Sequence, residues 1–246
     1  MIVPPMTTAT SSSQEDTIMS MSFTSSTTGS FSPKSPMRLS PSPQRAPRKQ
    51  TRSLREIATN VFIINFLSFL TKLAYPVHNP ARQRPHFDMM PDHIKFSLCE
   101  EVLSSENDGS AWKERFSASA GQWVTTGGAP LLTIQTKKGP ETYQRARILA
   151  QEVGELIALL QLKASKQTYQ NELNREAFII SAHETQVYLS AVHVNDRYLE
   201  GCHSGHIDKD DFFVVRRSKV WNLAEPHERT EAALVILSVL AYTMSE

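Results

Sequence analysis

The feature that most constrains the fold is a change of composition near residue 53. Residues 7–30 are mostly Ser and Thr and show no apolar periodicity. Such a segment buries too little surface to offset the entropy of ordering its backbone. Beyond residue 53, apolar residues recur at helical and strand spacings. We therefore predict a disordered Ser/Thr/Pro-rich basic tail over residues 1–53 and a single folded domain over residues 54–246.

Charge divides at nearly the same place. Residues 1–55 contain seven Lys and Arg against two acids, a net charge of +5, whereas the remaining 191 residues contain 19 basic and 23 acidic side chains, a net charge of −4. Proteins that recognise nucleic acids usually carry their positive charge on the folded surface, so we do not expect the folded domain to bind nucleic acid. The basic run from Arg45 to Arg55 fits a nuclear import signal, a polyanion contact or a solvated flank.

Four Ser-Pro pairs lie close together in the tail, at Ser32, Ser35, Ser40 and Ser42. Two of them, at Ser35 and Ser42, complete the Ser-Pro-x-Arg pattern that proline-directed kinases recognise. Each phosphate adds about −1.5 to −2 charges, so two or three phosphates would cancel the charge of the tail. We predict a phosphoprotein with a kinase-regulated tail, although Ser/Pro-rich disorder also produces such matches freely.

The sequence favours an intracellular protein that is nuclear or nucleo-cytoplasmic. Its two cysteines, Cys99 and Cys202, form no disulfide framework, and the first residues show no charged start followed by an apolar run, so we expect no secretory signal. A mitochondrial presequence is an alternative, because residues 17–55 are rich in Ser and Arg and contain no acid, but their prolines oppose an amphipathic helix. Membrane anchoring through Ile57–Leu73 is a further alternative to a core helix.

The order of predicted elements indicates an α+β fold. Helices are predicted over residues 54–74 and 91–104, so that residues 54–104 are helical, and the stretch 111–128 receives no assignment. Residues 130–246 then contain a sheet in the order β-α-β-β-β-α: Pro130–Lys137, the helix from Pro140 to about Lys163, the hairpin Ala177–His183 and Gln186–Asn195, the strand Asp211–Arg217, and the helix from Pro226. Residues 196–205 read as a turn or short helix. We expect a small mixed or antiparallel sheet of about four strands packed by helices.

One cluster contains the side chains that zinc prefers, namely Cys202, His203, His206 and Asp208. Structural zinc sites normally show two separated ligand pairs, and the other cysteine is the distant Cys99. His183 and His193, on opposite arms of the predicted hairpin, could complete the set. The spacing matches no standard zinc pattern, so a polar loop is the preferred interpretation, and we expect no metal and no cofactor.

A second candidate is the tripeptide Gln135-Thr136-Lys137 at the end of a predicted strand. Nucleases of the restriction-endonuclease type place an acid, a spacer and a lysine there, followed by a helix; acids hold Mg²⁺, and the lysine positions or activates the water. Here a glutamine replaces the acid, and the preceding acid has to be Asp108 or Glu114. An ordinary amphipathic strand ending in lysines is the alternative.

The C-terminal third resembles a group of uncharacterised filamentous-fungal proteins. The resemblance covers about residues 130–246 and depends on the segments Arg175–Ser181, Tyr198-Leu199, Phe213–Ser218 and Pro226–Ala232. These segments read as packing positions, so the resemblance implies a lineage and no activity.

No Gly-x-Ser-x-Gly elbow and no phosphate-binding glycine loop occur in the sequence. Our leading hypothesis is therefore a noncatalytic protein-interaction or regulatory module with protein partners, and a divergent metal-dependent nuclease or other hydrolase using Lys137 and Asp108 is the alternative. Whether the protein is an enzyme and which oligomer it forms stay open.

Overall fold

The computed structural model describes residues 53–75, 83–126, 128–137, 145–166 and 175–245. Within these residues the chain has the predicted α+β character, with four helices and ten strands. The helices are α1 (Leu54–Ala74), α2 (Arg145–Lys166), α3 (Asp196–Ser204) and α4 (Pro226–Met244). The strands are β1 (Arg84–Asp88), β2 (His93–Leu98), β3 (Glu101–Glu106), β4 (Gly109–Ser117), β5 (Gln122–Thr125), β6 (Leu132–Lys137), β7 (Glu176–His183), β8 (Gln186–His193), β9 (Val215–Arg217) and β10 (Trp221–Asn222).

Eight of these strands form one mixed sheet. Six follow the order β1-β4-β6-β7-β8-β10, β5 pairs with β4, and β9 pairs with β8. Strands β6 and β7 are parallel, because α2 carries the chain back to the start of β7, whereas the other pairs in this sheet are antiparallel. The expectation of about four strands is wrong, because four further strands, β1, β4, β5 and the two-residue β10, extend the sheet. They lie in regions in which the sequence shows no clear strand pattern.

The second predicted helix, over residues 91–104, is instead the hairpin of β2 and β3. Ile94, Leu98 and Val102 fit a helical stripe, but Ile94 and Phe96 also alternate with polar residues, and these two are the ones that are buried. Cys99 and Glu100 both have positive φ, at 52° and 64°. Two consecutive residues with positive φ form the tight turn that joins the strands of a two-residue hairpin. Residues 93–106 therefore form two strands and not a helix, because of this turn and because burial alternates along β2.

The sheet is covered on both faces. On one face, α1 and α4 pack against side chains such as Leu132, Ile134 and Ile180. On the other face, Leu156, Leu159 and Leu160 of α2 pack with α3 against β7 and β8. The β2–β3 hairpin lies over the far side of α2, so α2 is enclosed between two β layers.

Helix α1 begins and ends where the sequence predicts. The Ser53 hydroxyl accepts a hydrogen bond from the Glu56 backbone N–H at 3.2 Å, and the Glu56 carboxylate accepts one from the Ser53 N–H at 3.4 Å, which forms a capping box. The helix is long and apolar enough to cross a membrane by composition, but 39% of that window is buried in the protein. Ile63 and Leu67 are fully buried, whereas Phe69 and Leu73 are 59% and 66% exposed. One side of α1 therefore packs into the core, and membrane anchoring through Ile57–Leu73 stays a prediction.

The remaining predicted elements lie close to their expected positions. Strand β6, the β7–β8 hairpin, α3 and α4 are confirmed. The predicted strand Asp211–Arg217 shortens to β9, three residues long, and the described part of α2 extends to Lys166. The predicted start of α2 at residues 140–144 lies outside the described residues.

Candidate functional site

A cluster of buried polar side chains lies between the carboxyl half of β6 and α2. Side chains alternate along β6, so Leu132 and Ile134 face the apolar layer beneath α1 and α4. Gln135 faces the opposite side, where its amide contacts Glu155 of α2. The next residue on this side is Lys137. Gln135 and Lys137, the first and last residues of the candidate tripeptide, therefore lie on the face of the sheet that α2 covers.

Glu155 is the centre of this cluster. Its Oε1 accepts hydrogen bonds from the Gln135 side-chain amide and from Gln151 Nε2, the latter at 3.3 Å. Its other oxygen, Oε2, and the amide oxygen Oε1 of Gln135 are buried without a hydrogen-bond partner among the described residues. Two buried oxygens with no donor are costly, because each has lost its hydration. A proton on Glu155, or a cation bound to these two oxygens, would therefore stabilise the cluster.

Charge and burial act on Glu155 in opposite directions. Burial raises the pKa of its carboxyl well above the usual range, since the charged form is disfavoured away from water. The positive charge of Lys137 lowers this pKa, whereas the negative charges of Asp108 and Glu152 raise it. A cation beside Glu155 would restore the ionised form.

Asp108 lies immediately before β4 and is held by hydrogen bonds from its side chain and its backbone. Its Oδ2 accepts hydrogen bonds from the backbone N–H and the hydroxyl of Thr136, at 2.6 and 2.9 Å. Its backbone N–H donates to the Ile134 carbonyl at 2.9 Å, and its own carbonyl accepts from Asn60 Nδ2 at 2.9 Å. Strand β6 and helix α1 thus fix a buried carboxylate next to the residue that precedes Lys137.

Lys137 is the partly exposed member of the group. Its Cα is paired with that of His183 in the parallel β6–β7 register. The solvent side of the cluster therefore lies at the carboxyl end of β6. The two residues of the nuclease alternative, Lys137 and Asp108, both lie near enough to Glu155 for their charges to act on its carboxyl. Sequence reasoning missed Glu155.

A second acid of α2, Glu152, belongs to a separate and fully satisfied network. Its Oε1 accepts hydrogen bonds from the hydroxyls of Ser181 at 2.6 Å and Tyr188 at 2.7 Å. Its Oε2 accepts from Arg217 Nη2 at 2.6 Å and from the Ser190 hydroxyl at 3.4 Å. The Arg217 guanidinium lies 4.5 Å from the centre of the Tyr188 ring. This network occupies both carboxylate oxygens of Glu152 and connects α2 to β7, β8 and β9.

The other acid considered for the nuclease alternative, Glu114, lies elsewhere. It is in β4, where its carboxylate accepts a hydrogen bond from Arg84 of β1 at 3.0 Å. The Arg84 guanidinium also lies 4.1 Å from the centre of the Trp123 ring. Glu114 therefore takes part in an ion pair between strands, away from Lys137.

The residues of the zinc alternative lie around α3 and the loop that follows it. The Cys202 thiol is buried, and burial raises its pKa to about 11, which disfavours the thiolate that zinc needs. Asp208 forms an ion pair with Arg197, His206 Nδ1 lies 2.8 Å from the Ser204 carbonyl, and His203 is exposed. Among the described residues, no group of three or more His, Cys, Asp and Glu side chains is placed to hold a metal.

The remaining candidate side chains are dispersed. His183 stacks on Tyr188 at 5.7 Å, and His193, at the other end of the hairpin, lies 3.3 Å from Glu176. They do not converge on Cys202. The predicted phosphorylation sites Ser32, Ser35, Ser40 and Ser42 lie outside the described residues.

Comparison with known proteins adds no assignment. No protein-family model and no curated protein matches the chain. The resemblance to filamentous-fungal proteins stays a prediction, and function has to be inferred from the site itself.

Proposed function

We propose that the domain is a metal-dependent phosphodiester hydrolase of nuclease type, with Asp108 and Glu155 as cation ligands and Lys137 as the catalytic lysine. The observation that carries this proposal is the pair of buried oxygens without a donor, on Glu155 and Gln135, beside a rigidly held aspartate. It depends equally on the position of Lys137, whose charge acts on Glu155.

The donor set fits a hard divalent cation better than zinc. Mg²⁺ prefers oxygen ligands and commonly takes only one or two carboxylates, completing its shell with water and substrate phosphate. Asp108 and Glu155 supply two carboxylates, and Gln135 supplies a neutral amide oxygen. A thiolate or a neutral imidazole, which zinc prefers, is not part of the cluster.

Each residue has a distinct role in this proposal. Bound Mg²⁺ would polarise the phosphate and lower the pKa of a coordinated water. Thr136 holds Asp108 in place through two hydrogen bonds. Lys137 contributes a positive charge on the solvent side, where it can orient the attacking water and offset charge on the phosphate.

The chain departs from the acid-spacer-lysine pattern at Gln135, and we propose that Glu155 of α2 supplies the missing acid. Gln135 occupies the strand position where restriction-type nucleases carry an acid, and an amide provides oxygen without charge. Glu155, whose carboxylate contacts that amide, provides the missing negative charge from α2. The number of carboxylates near Lys137 is thereby kept at two.

Cleavage assays on the full chain test the proposal. Supercoiled plasmid and single-stranded RNA are incubated with millimolar Mg²⁺ or Mn²⁺, and with EDTA as the metal-free reference. Asp108→Asn, Lys137→Ala and Glu155→Gln should each reduce cleavage roughly 100-fold or more, whereas Asp210→Asn, which changes an exposed acid, should have no effect. Absence of metal-dependent cleavage, or cleavage that the three variants leave intact, contradicts the proposal.

A second candidate is the noncatalytic interaction module predicted from the sequence. It is favoured by a groove of about 770 Å³ between α4 and strands β8 and β9, whose lining includes Phe178, Val214, Leu234 and Val239. The Gln135 amide already occupying one oxygen of Glu155 also favours it. A chain that binds no divalent cation and cleaves no phosphodiester, yet is stably folded, would support this second candidate.

A further inference from the structure

We propose that the outer face of α1 is the contact surface for a second copy of this chain, so that two domains associate about a two-fold axis through antiparallel α1 helices. The inference is independent of the proposed function. The inner face of α1 places Ile63 and Leu67 in the core and Asn60 on the Asp108 carbonyl. The outer face is exposed and is nonetheless apolar.

Six large apolar side chains are exposed on α1, more than on any other element that the structure describes. Successive helical residues are about 100° apart around the axis, so these six lie within an arc of about 160°, on the side opposite the buried Ile63 and Leu67. A surface helix normally places charged and polar residues there, and an apolar patch of this kind marks an interaction site. The six residues are Leu54, Ile57, Val61, Phe62, Phe69 and Leu73.

The size of this outer face suits a pair of identical surfaces. The exposed parts of the six side chains amount to on the order of 600 Å². Specific protein interfaces bury about 1,200–2,000 Å² in total, half of it on each partner. Two copies of the outer face of α1 reach the lower end of this range, which corresponds to a weak and reversible dimer.

The order of the residues along α1 makes the outer face complementary to itself. In an antiparallel pair whose two-fold axis passes between residues 63 and 64, Leu54 lies opposite Leu73 of the second copy, and Ala58 lies opposite Phe69 of the second copy. The small Ala58 side chain leaves a hollow for the large Phe69 ring. Two-fold symmetry forms each of these contacts twice, so one favourable pairing of large and small side chains is used at both ends of the interface.

A second copy suits this face better than a lipid bilayer, because Asn65 is exposed near the middle of the arc. In hydrocarbon its amide would lose the hydrogen bonds that water provides. In the antiparallel pair the two Asn65 residues are within about 5 Å of each other along the helix axis, so their amides can pair and fix the register, as a polar residue does in a coiled coil. Helices that lie on bilayers also carry a charged opposite face, whereas the opposite face of α1 is in the core.

Sedimentation equilibrium of the full chain at about 1–100 µM tests the proposal, because weak interfaces associate in this range. The test variant is Val61→Glu/Phe69→Glu. The matched control, Val102→Glu/Phe212→Glu, changes the same two residue types at positions outside α1 that are 72% and 53% exposed. Thermal melts followed by circular dichroism establish that each variant is folded.

We expect a monomer–dimer equilibrium for the wild-type chain and the control. The dissociation constant of the test variant should rise roughly 100-fold or more, because unpaired carboxylates would be buried between the helices. A wild-type chain that stays monomeric, or equal dimerisation by the test variant and the control, overturns the proposal. A monomeric chain that binds vesicles of neutral phospholipid, and loses this binding in the test variant, overturns it in favour of a lipid surface.

Single cysteines test the antiparallel arrangement without adding charge. In a Cys99→Ser background, Asn65→Cys should be cross-linked to a dimer by a short bismaleimide, since the two copies of residue 65 lie beside the two-fold axis. Leu54→Cys should not be cross-linked, because its two copies are about 28 Å apart along the helices. Cross-linking of Leu54→Cys as fast as Asn65→Cys, or of neither, contradicts the antiparallel dimer.

Discussion

Replacing Arg217 by Met should destabilise the fold by about 3 kcal/mol, because it leaves Glu152 as a buried charge without its cation. Glu152 is fully buried, and its Oε2 accepts a hydrogen bond from Arg217 at 2.6 Å. Removing one partner of a buried ion pair costs about 3–5 kcal/mol. The hydroxyls of Ser181 and Tyr188 still donate hydrogen bonds to Glu152 in the variant. The expected loss of stability is therefore at the lower end of this range. Methionine retains the aliphatic stem, so lost packing adds little.

Urea unfolding with linear extrapolation measures this loss. Arg197→Met provides the matched control, because Arg197 pairs with Asp208 on the surface, where both side chains are more than half exposed, and should cost less than about 1 kcal/mol. The double variant Glu152→Gln/Arg217→Met should recover at least about 1 kcal/mol relative to additivity. A cost below about 1 kcal/mol for Arg217→Met, with additive behaviour in the double variant, would refute the reasoning.

Two further predictions follow from contacts within the folded domain. Glu155→Gln should stabilise the fold, and the gain should grow as the pH rises above 4.5. The reason is that the raised folded-state pKa of Glu155 makes the stability of the wild-type protein fall over that range. Thermal melts of both proteins at a series of pH values check this, and a difference in stability that does not change with pH contradicts it. Gly109→Ala should cost about 3 kcal/mol, since its Cβ would lie 2.6 Å from the Asp88 carbonyl oxygen. Gly154→Ala should stabilise by about 0.8 kcal/mol, because its Cβ would lie 4.0 Å from the nearest atom, Phe96 Cζ, which is ordinary contact. Equal unfolding energies for these two glycine variants would contradict the packing.

Elements whose burial has a simple period could be predicted from the sequence. Helix α1 has its capping box at Ser53 and ends beside Pro76, and β7 and β8 are apolar runs joined by a short turn, so local signals and tertiary packing agree. The hairpin over residues 93–106 could not be predicted in this way, because Ile94, Leu98 and Val102 also satisfy a helical spacing. The hairpin turn depends on positive φ at Cys99 and Glu100. Neither Cys nor Glu is a residue type that predicts positive φ, so the turn could not be recognised from the sequence.

Two of the three residues of the candidate site could be proposed from the sequence. Lys137 and Asp108 follow from a known spacing, but Glu155 does not, because an acid in an amphipathic helix is normally expected on its solvent face. In the structure Ala146 and Ala150 are exposed, whereas Glu152 and Glu155 are buried. A helix enclosed between two β layers buries more than one face, so its acids cannot be assigned to solvent by periodicity alone. The run Leu156, Leu159 and Leu160 beside Glu152 was the available signal for that second face.

Calorimetric titration of Mn²⁺ into the full chain tests the central claim most directly, because it measures the cation site without requiring a substrate. We expect one bound cation per chain, with an affinity that falls as the pH is lowered because protonation of Glu155 competes with the metal. Asp108→Asn and Glu155→Gln should abolish binding, and Asp210→Asn should leave it unchanged. Failure of the wild-type chain to bind Mn²⁺, or equal binding by all variants, would contradict the assignment of Asp108 and Glu155 as ligands.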